Sequence, residues 1–112
     1  MSAALAKIQA GICGFLTEVR AEAGDDYAVR FQIESGCEKV RAFGAELAAG
    51  MPLSALAELR LGADGEILSA ARRHLRGCCA ACVTPDAVFK AMQVAAGLAL
   101  PAPVRVELEL ES

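Results

Sequence analysis

The sequence predicts an α+β fold of two layers: a β-hairpin, three or four helices and a C-terminal strand, with the helices on one face of a small sheet. Three observations carry this. Segments early and late in the chain alternate apolar and polar residues with period two, the mark of a half-buried strand. The middle carries apolar stripes at helical spacing between recognisable starts and stops. Each predicted strand also has one polar face, so the sheet is covered on one side only.

The first strand runs through Phe15, Thr17, Val19 and Ala21, alternating with Leu16, Glu18 and Arg20. Gly11 and Gly14 flank Cys13 and predict a bend or bulge in this strand. Gly24-Asp25-Asp26 turns the chain into a second strand, in which Tyr27, Val29, Phe31 and Ile33 alternate with Ala28, Arg30, Gln32 and Glu34. Asp25 and Asp26 are turn formers, not a catalytic pair. Ser35-Gly36-Cys37-Glu38 has the spacing of a capping box, and Val40, Phe43, Gly44 and Leu47 follow on one helical face. Gly50 and Pro52 end that helix. Leu53 to Leu61 predicts a shorter one, with Leu53, Leu56 and Leu59 or Leu61 inward.

Asp64-Gly65 restarts the chain, and Ile67, Leu68, Ala71 and Leu75 form the next stripe, with Gly77 as a left-handed stop. In the last helix Thr84 is the expected cap, Pro85 sits in the first turn and Asp86 favours the positive end. Val88, Phe89, Met92, Ala95 and Ala96 are its stripe, closed by Gly97 and the Pro101/Pro103 pair. Val104, Val106, Leu108 and Leu110 then alternate with Arg105, Glu107, Glu109 and Glu111 as the C-terminal strand, whose charged row discourages edge-to-edge pairing. No repeat or linker divides the chain, so residues 1–112 are expected to form one domain.

Apolar residues make up 55% of the 112, but 24 of them are alanine; there are four Phe, one Tyr and no Trp. Alanine brings little area to bury at roughly 25 cal/mol per Å², so the core is thin. With 11 Lys+Arg against 14 Asp+Glu the net charge is −3, which excludes charge-driven binding to nucleic acid. The longest uncharged run, Ala91 to Val104, is broken by Gly97 and two prolines and is too short for a bilayer span. No basic stretch precedes an apolar block at the N-terminus, so no signal peptide is read and a cytoplasmic address is expected.

Against that thin core, five cysteines stand out. Their odd number and the expected reducing compartment argue against a disulfide framework. Cys37 and Cys82 fall at helix starts, where free N–H groups and the helix dipole favour an anion. Cys79-Ala80-Ala81-Cys82 has the spacing that lets two thiolates share a tetrahedral ion, and Cys78 adjoins it. Cys13, Cys37, Cys79 and Cys82, with Cys78 or His74 as alternates, are therefore the expected ligands of Zn²⁺ or an Fe–S cluster. Arg72, Arg73 and Arg76 would offset surplus thiolate charge, or simply form a solvated helix face. His74, the sole histidine, equally suits a helix surface.

Two other readings compete with metal binding. One is a thiol-based redox or sulfur-transfer protein using Cys82 as nucleophile, resolved by Cys79 or Cys78. The thioredoxin arrangement is disfavoured, since Cys79 follows a helix and has no aromatic neighbour. The other is an interaction domain whose cysteines are small apolar filler. No phosphate-binding loop, dinucleotide fingerprint or nucleophile elbow occurs.

Gly11-Ile12-Cys13-Gly14-Phe15, Ser35-Gly36-Cys37-Glu38, Cys82-Val83-Thr84-Pro85 and Ala96-Gly97-Leu98-Ala99-Leu100-Pro101 resemble the motifs of a small uncharacterised family of cysteine-bearing proteins from anaerobic bacteria and archaea. The pattern is a strand cysteine, a Ser-x-Cys and a Cys-x-x-Pro, with a further cysteine and histidine shortly before the last. The resemblance implies a shared metal or Fe–S site using Cys13, Cys37 and Cys82, and implies no activity. This chain departs from the pattern before Cys82, placing His74 first and Cys78 and Cys79 nearer Cys82.

Overall fold

The computed structural model describes residues 2–112. Its centre is a four-stranded antiparallel meander of β1 (Ser2–Gln9), β2 (Leu16–Ala23), β3 (Ala28–Ser35) and the two-residue β4 (Leu53–Ser54), in the order β1-β2-β3-β4. Four helices accompany it: α1 (Glu38–Ala49), α2 (Ala55–Leu61), α3 (Glu66–His74) and α4 (Thr84–Ala95). Helix α4 lies over β1 and β2, α1 over β3, and α3 packs against both helices. The two-layer α+β expectation holds.

Register explains which face is wet. Ser2 pairs with Ala23 and Gln9 with Leu16 across β1 and β2; Thr17 pairs with Ser35 and Ala23 with Val29 across β2 and β3. Because side chains alternate, these pairings send Ile8, Thr17, Val19, Ala21, Ala23, Val29 and Phe31 toward the helices, where all are buried. Lys7, Glu18, Arg20, Glu22, Arg30, Gln32 and Glu34 take the open face, and all are exposed. From the helices come Val40, Phe43 and Leu47 of α1, Ile67, Ala70 and Ala71 of α3, and Val88, Ala91, Met92 and Ala95 of α4. Gly44 lets α1 approach the sheet, since a Cβ there would lie 3.3 Å from Ile33 Cβ.

Several sequence expectations change. The glycines around Cys13 do not bend one strand; they form the 10–15 loop of a hairpin, with Gly11 at φ +100° and Gly14 at φ +75°. The segment before them is a strand in its own right, held by pairing with β2 although it is rich in alanine. The expected C-terminal strand is absent: residues 100–112 have no regular structure and all are exposed. Their alternation is real, but no neighbouring strand is there to pair with it.

In α2 the leucines point outward, with Leu56, Leu59 and Leu61 exposed and Ala55 and Glu58 buried. The reason lies in Glu58, whose Oε1 accepts the Ile67 N–H at 2.8 Å and whose Oε2 accepts the Glu66 N–H at 3.0 Å. A carboxylate thus caps the start of α3, where free N–H groups and the dipole favour an anion. Satisfying that helix end turns the leucine face of a seven-residue helix to solvent.

The helix boundaries follow the sequence more closely. Helix α1 begins with Cys37 as its cap residue, and Ser35 Oγ accepts the Cys37 N–H at 3.1 Å, so the capping-box spacing marks the start without forming the box. Helix α4 starts one residue earlier than a Thr84 cap requires: Val83 is the cap residue and Thr84, already helical, is buried. Its end is as expected. Gly97 takes φ +75°, its N–H bonds Val94 O at 3.1 Å and the Leu98 N–H bonds Gln93 O at 2.8 Å, the paired bonds of a Schellman stop. Gly77 is left-handed at φ +64° as expected, but it opens a 3-10 turn (Gly77–Ala81) instead of directly ending α3.

Candidate functional site

Three segments carry all five cysteines: the 10–15 loop, the start of α1 and the turn before α4. The first two meet at Gly36. The Phe15 ring lies over it, so that a Cβ on Gly36 would come within 3.1 Å of Phe15 Cδ1, and the Gly36 N–H reaches Leu16 O at 3.4 Å. The second and third meet through Lys39, whose Nζ donates to Cys79 Sγ at 3.6 Å. The loop, the α1 N-terminus and the cysteine turn are thereby joined in series at one end of the sheet.

The placement of Cys37 is built from below. Thr17 on β2 is buried and its Oγ1 lies 2.7 Å from Ser35 Oγ on β3. The same Ser35 oxygen accepts the Cys37 N–H, while Arg41 Nη1 donates to Ser35 O at 3.1 Å. Strand register therefore sets the point where α1 starts, and with it the position of the Cys37 thiol.

The cysteine turn is held by backbone bonds from Cys79 N to Arg76 O (3.2 Å) and from Cys82 N to Cys79 O (3.0 Å). The second of these closes the Cys-x-x-Cys segment on itself. Cys82 Sγ donates to Thr84 Oγ1 at 3.3 Å, so Thr84 holds the last thiol at the entry of α4 rather than capping the helix. All five cysteines are free thiols. Cys37, Cys79 and Cys82 are half-buried against the core; Cys13 and Cys78 are exposed.

The remaining residues singled out in the sequence are engaged elsewhere. His74 Nε2–H donates to Glu46 Oε1 at 2.9 Å, tying α3 to α1. Arg73 makes a two-pronged contact with the same carboxylate, through Nε at 3.2 Å and through Nη2. The hydrogen bond from Arg73, and then that from His74, lowers the Glu46 carboxyl from its usual 4.5 to about 2. Arg72 turns to Ala63 O, Ser69 Oγ and Asp64 Oδ1, and Arg76 Nε reaches Arg72 O at 3.4 Å, so the contacts of these two arginines stay on α3 and the turn before it.

The cysteines do not form a ready-made ligand shell. Among the described residues, no group of three or more His, Cys, Asp or Glu side chains could hold a metal ion. What the fold supplies is a chain of contacts linking the three cysteine-bearing segments. Lys39 went unnoticed in the sequence, although a lysine in the first turn of a helix stands at the positive end of the dipole, an unfavourable place. That misplacement was the available signal.

No helix among the described residues is long and apolar enough to cross a membrane. Residues 4–108 match the model of a family of unknown function (DUF6951), and the chain belongs to that family. No curated protein and no solved structure matches it.

Proposed function

We propose that this member of the family binds a metal ion or Fe–S cluster through thiolates at the end of the sheet where its three cysteine-bearing segments are joined. The contact of Lys39 with Cys79 is the observation that carries the reading, because it brings the cysteine turn against the helix start that bears Cys37. Cys37, Cys79 and Cys82 are the inner donors, half-buried against the core, where packing restricts them. Cys13 or Cys78, exposed on loops, supplies the fourth. Thiolates are the donors that Zn²⁺ and Fe–S clusters prefer, and a site assembled by the ion itself couples metal binding to local folding. Free thiols persist in a reducing setting, and a cytoplasmic location belongs to the same reading.

The test is a titration of the reduced chain with Co²⁺ under anaerobic conditions, beside Zn and Fe analysis of anaerobically purified protein. A stoichiometric metal and thiolate-to-Co²⁺ absorption are expected, lost in Cys37→Ser, Cys79→Ser and Cys82→Ser. Comparing Cys13→Ser with Cys78→Ser identifies the fourth donor, and visible absorption of the purified protein separates Fe–S from Zn. Stoichiometric absence of both metals, with no Co²⁺ spectrum, overturns the reading.

A dithiol couple of Cys79 and Cys82 is the second reading, favoured by the backbone bond that closes their turn. Exchange with glutathione disulfide would then leave a Cys79–Cys82 bridge and two reduced glutathione molecules. Peptide mapping that finds other pairings, or none, removes it.

A further inference from the structure

The C-terminal segment has the chemistry of a strand and no strand to pair with. Val104 and Val106 are 66% and 67% exposed, Leu108 and Leu110 92% and 98%. Arg105 Nη2 pairs with Glu107 Oε1 at 2.5 Å, a contact between residues two apart, which a strand would place on one side. As a strand, the segment would carry its apolar residues in one row and Arg105, Glu107, Glu109 and Glu111 in the other. Pro101 and Pro103 stiffen the connection from α4. With this arm the molecule measures 50 × 27 × 25 Å. The family match runs to residue 108 and so includes most of the arm.

The sheet offers a matching vacancy at only one of its two edges. The β3 edge is blunted: its first two residues pair with β4, the Phe31 N–H reaches Met51 Sδ at 3.3 Å, and the Ser35 carbonyl takes Arg41. The β1 edge presents eight residues without proline, bulge or acidic side chain, and its one charge is Lys7. Natural sheets protect such edges, and an unprotected one is a template for another strand. On the helix side of β1, Ala4 and Ala6 are only half-buried, small residues that leave room for the larger Val and Leu row of the arm. On the open side, Lys7 meets a strand carrying three glutamates.

We propose that the chain forms an arm-exchanged dimer, in which residues 104–111 of each copy add as a fifth strand to the β1 edge of the other. Reciprocal exchange uses each arm and each edge once, so the assembly closes at two copies instead of growing into fibres. A second copy is the occupant because the arm stands away from its own body, exposed along its whole length, while every copy carries both halves of the contact. Val and Leu side chains each contribute about 60–120 Å² of apolar surface at the usual transfer coefficient, so two arms bring about 500–1,000 Å² to the contact before any main-chain pairing is counted. That approaches the lower range of stable interfaces. The proposal is independent of the metal reading, since no cysteine takes part.

The full chain is examined by analytical ultracentrifugation over a concentration series, together with hydrogen exchange at residues 104–110. A dimer with protected arm amides is expected. The double variant Val106→Asp, Leu108→Asp should raise the dimer dissociation constant at least about a hundredfold. Both positions are exposed, so its circular dichroism should stay that of the native fold. A monomer with unprotected arm amides overturns the proposal. So does a monomer with protected arm amides, which would mean that the arm folds back on its own β1, and so does a dimer indifferent to the double variant.

Discussion

Replacing Glu58 tests whether one buried carboxylate organises the middle of the chain. In Glu58→Ala the Ile67 N–H loses a 2.8 Å bond and the Glu66 N–H a 3.0 Å bond, one to each carboxyl oxygen. The Ile67 bond is buried, so its donor is left without water, at about 1–3 kcal/mol; the Glu66 donor is part-buried and recovers some hydration. Loss of the charge at the helix start adds about 0.3–1 kcal/mol. Together these predict about 2–4 kcal/mol, or roughly 8–16 °C in Tm for a chain of this size. Glu58→Gln keeps one acceptor but turns an amide N–H₂ toward the other donor, so it should cost about half as much. Gly65→Ala sharpens the test, because a Cβ there would lie 3.0 Å from Glu58 Oε2. It should destabilise the native chain by about 1 kcal/mol and have little effect in the Glu58→Ala background, a coupling that a double-mutant cycle reads directly. Equilibrium urea unfolding at constant m gives each value. A Glu58→Ala cost below about 0.5 kcal/mol, or additive Gly65 and Glu58 effects, would refute the capping argument.

Three further outcomes are expected. Ser35→Ala removes the acceptor of the Cys37 N–H and the partner of buried Thr17, and should cost about 1–2 kcal/mol by urea unfolding; a value near zero would mean that α1 starts at Cys37 without Ser35. In reduced, metal-free protein, alkylation followed by mass spectrometry should label exposed Cys13 and Cys78 before half-buried Cys37, Cys79 and Cys82, and the reverse order would contradict the placement of the two loops. The Glu46 carboxyl is held near 2 in the folded chain against a usual 4.5, so its contribution is fully present above pH 4.5 and lost as pH falls through 2; the stability advantage of the native chain over Glu46→Gln should shrink across that window, and an advantage that instead grows toward pH 2 would reverse the assigned sign.

Much of the fold is legible locally. The alternation of Thr17, Val19 and Ala21 against Val29 and Phe31, with Gly24 and two aspartates between, specifies the β2–β3 hairpin without reference to distant residues. The Gly97 stop is equally local, because the N–H groups of Gly97 and Leu98 satisfy the last carbonyls of α4 within one turn. The candidate site is legible only in part. Its residue types stand out in the sequence, but the contacts that join them, Phe15 over Gly36 and Lys39 on Cys79, span 21 and 40 positions.

The sequence by itself determined the period of each segment: which residues share a strand face or a helix stripe, where the chain turns, and which side chains can act as soft metal donors. Tertiary structure decided which of those segments find partners. Alanine-rich Ser2–Gln9 becomes a strand because it pairs with β2 along its whole length, whereas Val104 to Leu110, with the stronger strand pattern, pairs with no strand of its own copy. Glu58, not a leucine, takes the buried face of α2, where its carboxylate accepts the N–H groups at the start of α3. Periodicity is a property of neighbours along the chain; pairing, capping across helices and the meeting of cysteine-bearing loops depend on distances that exist only after the chain has folded.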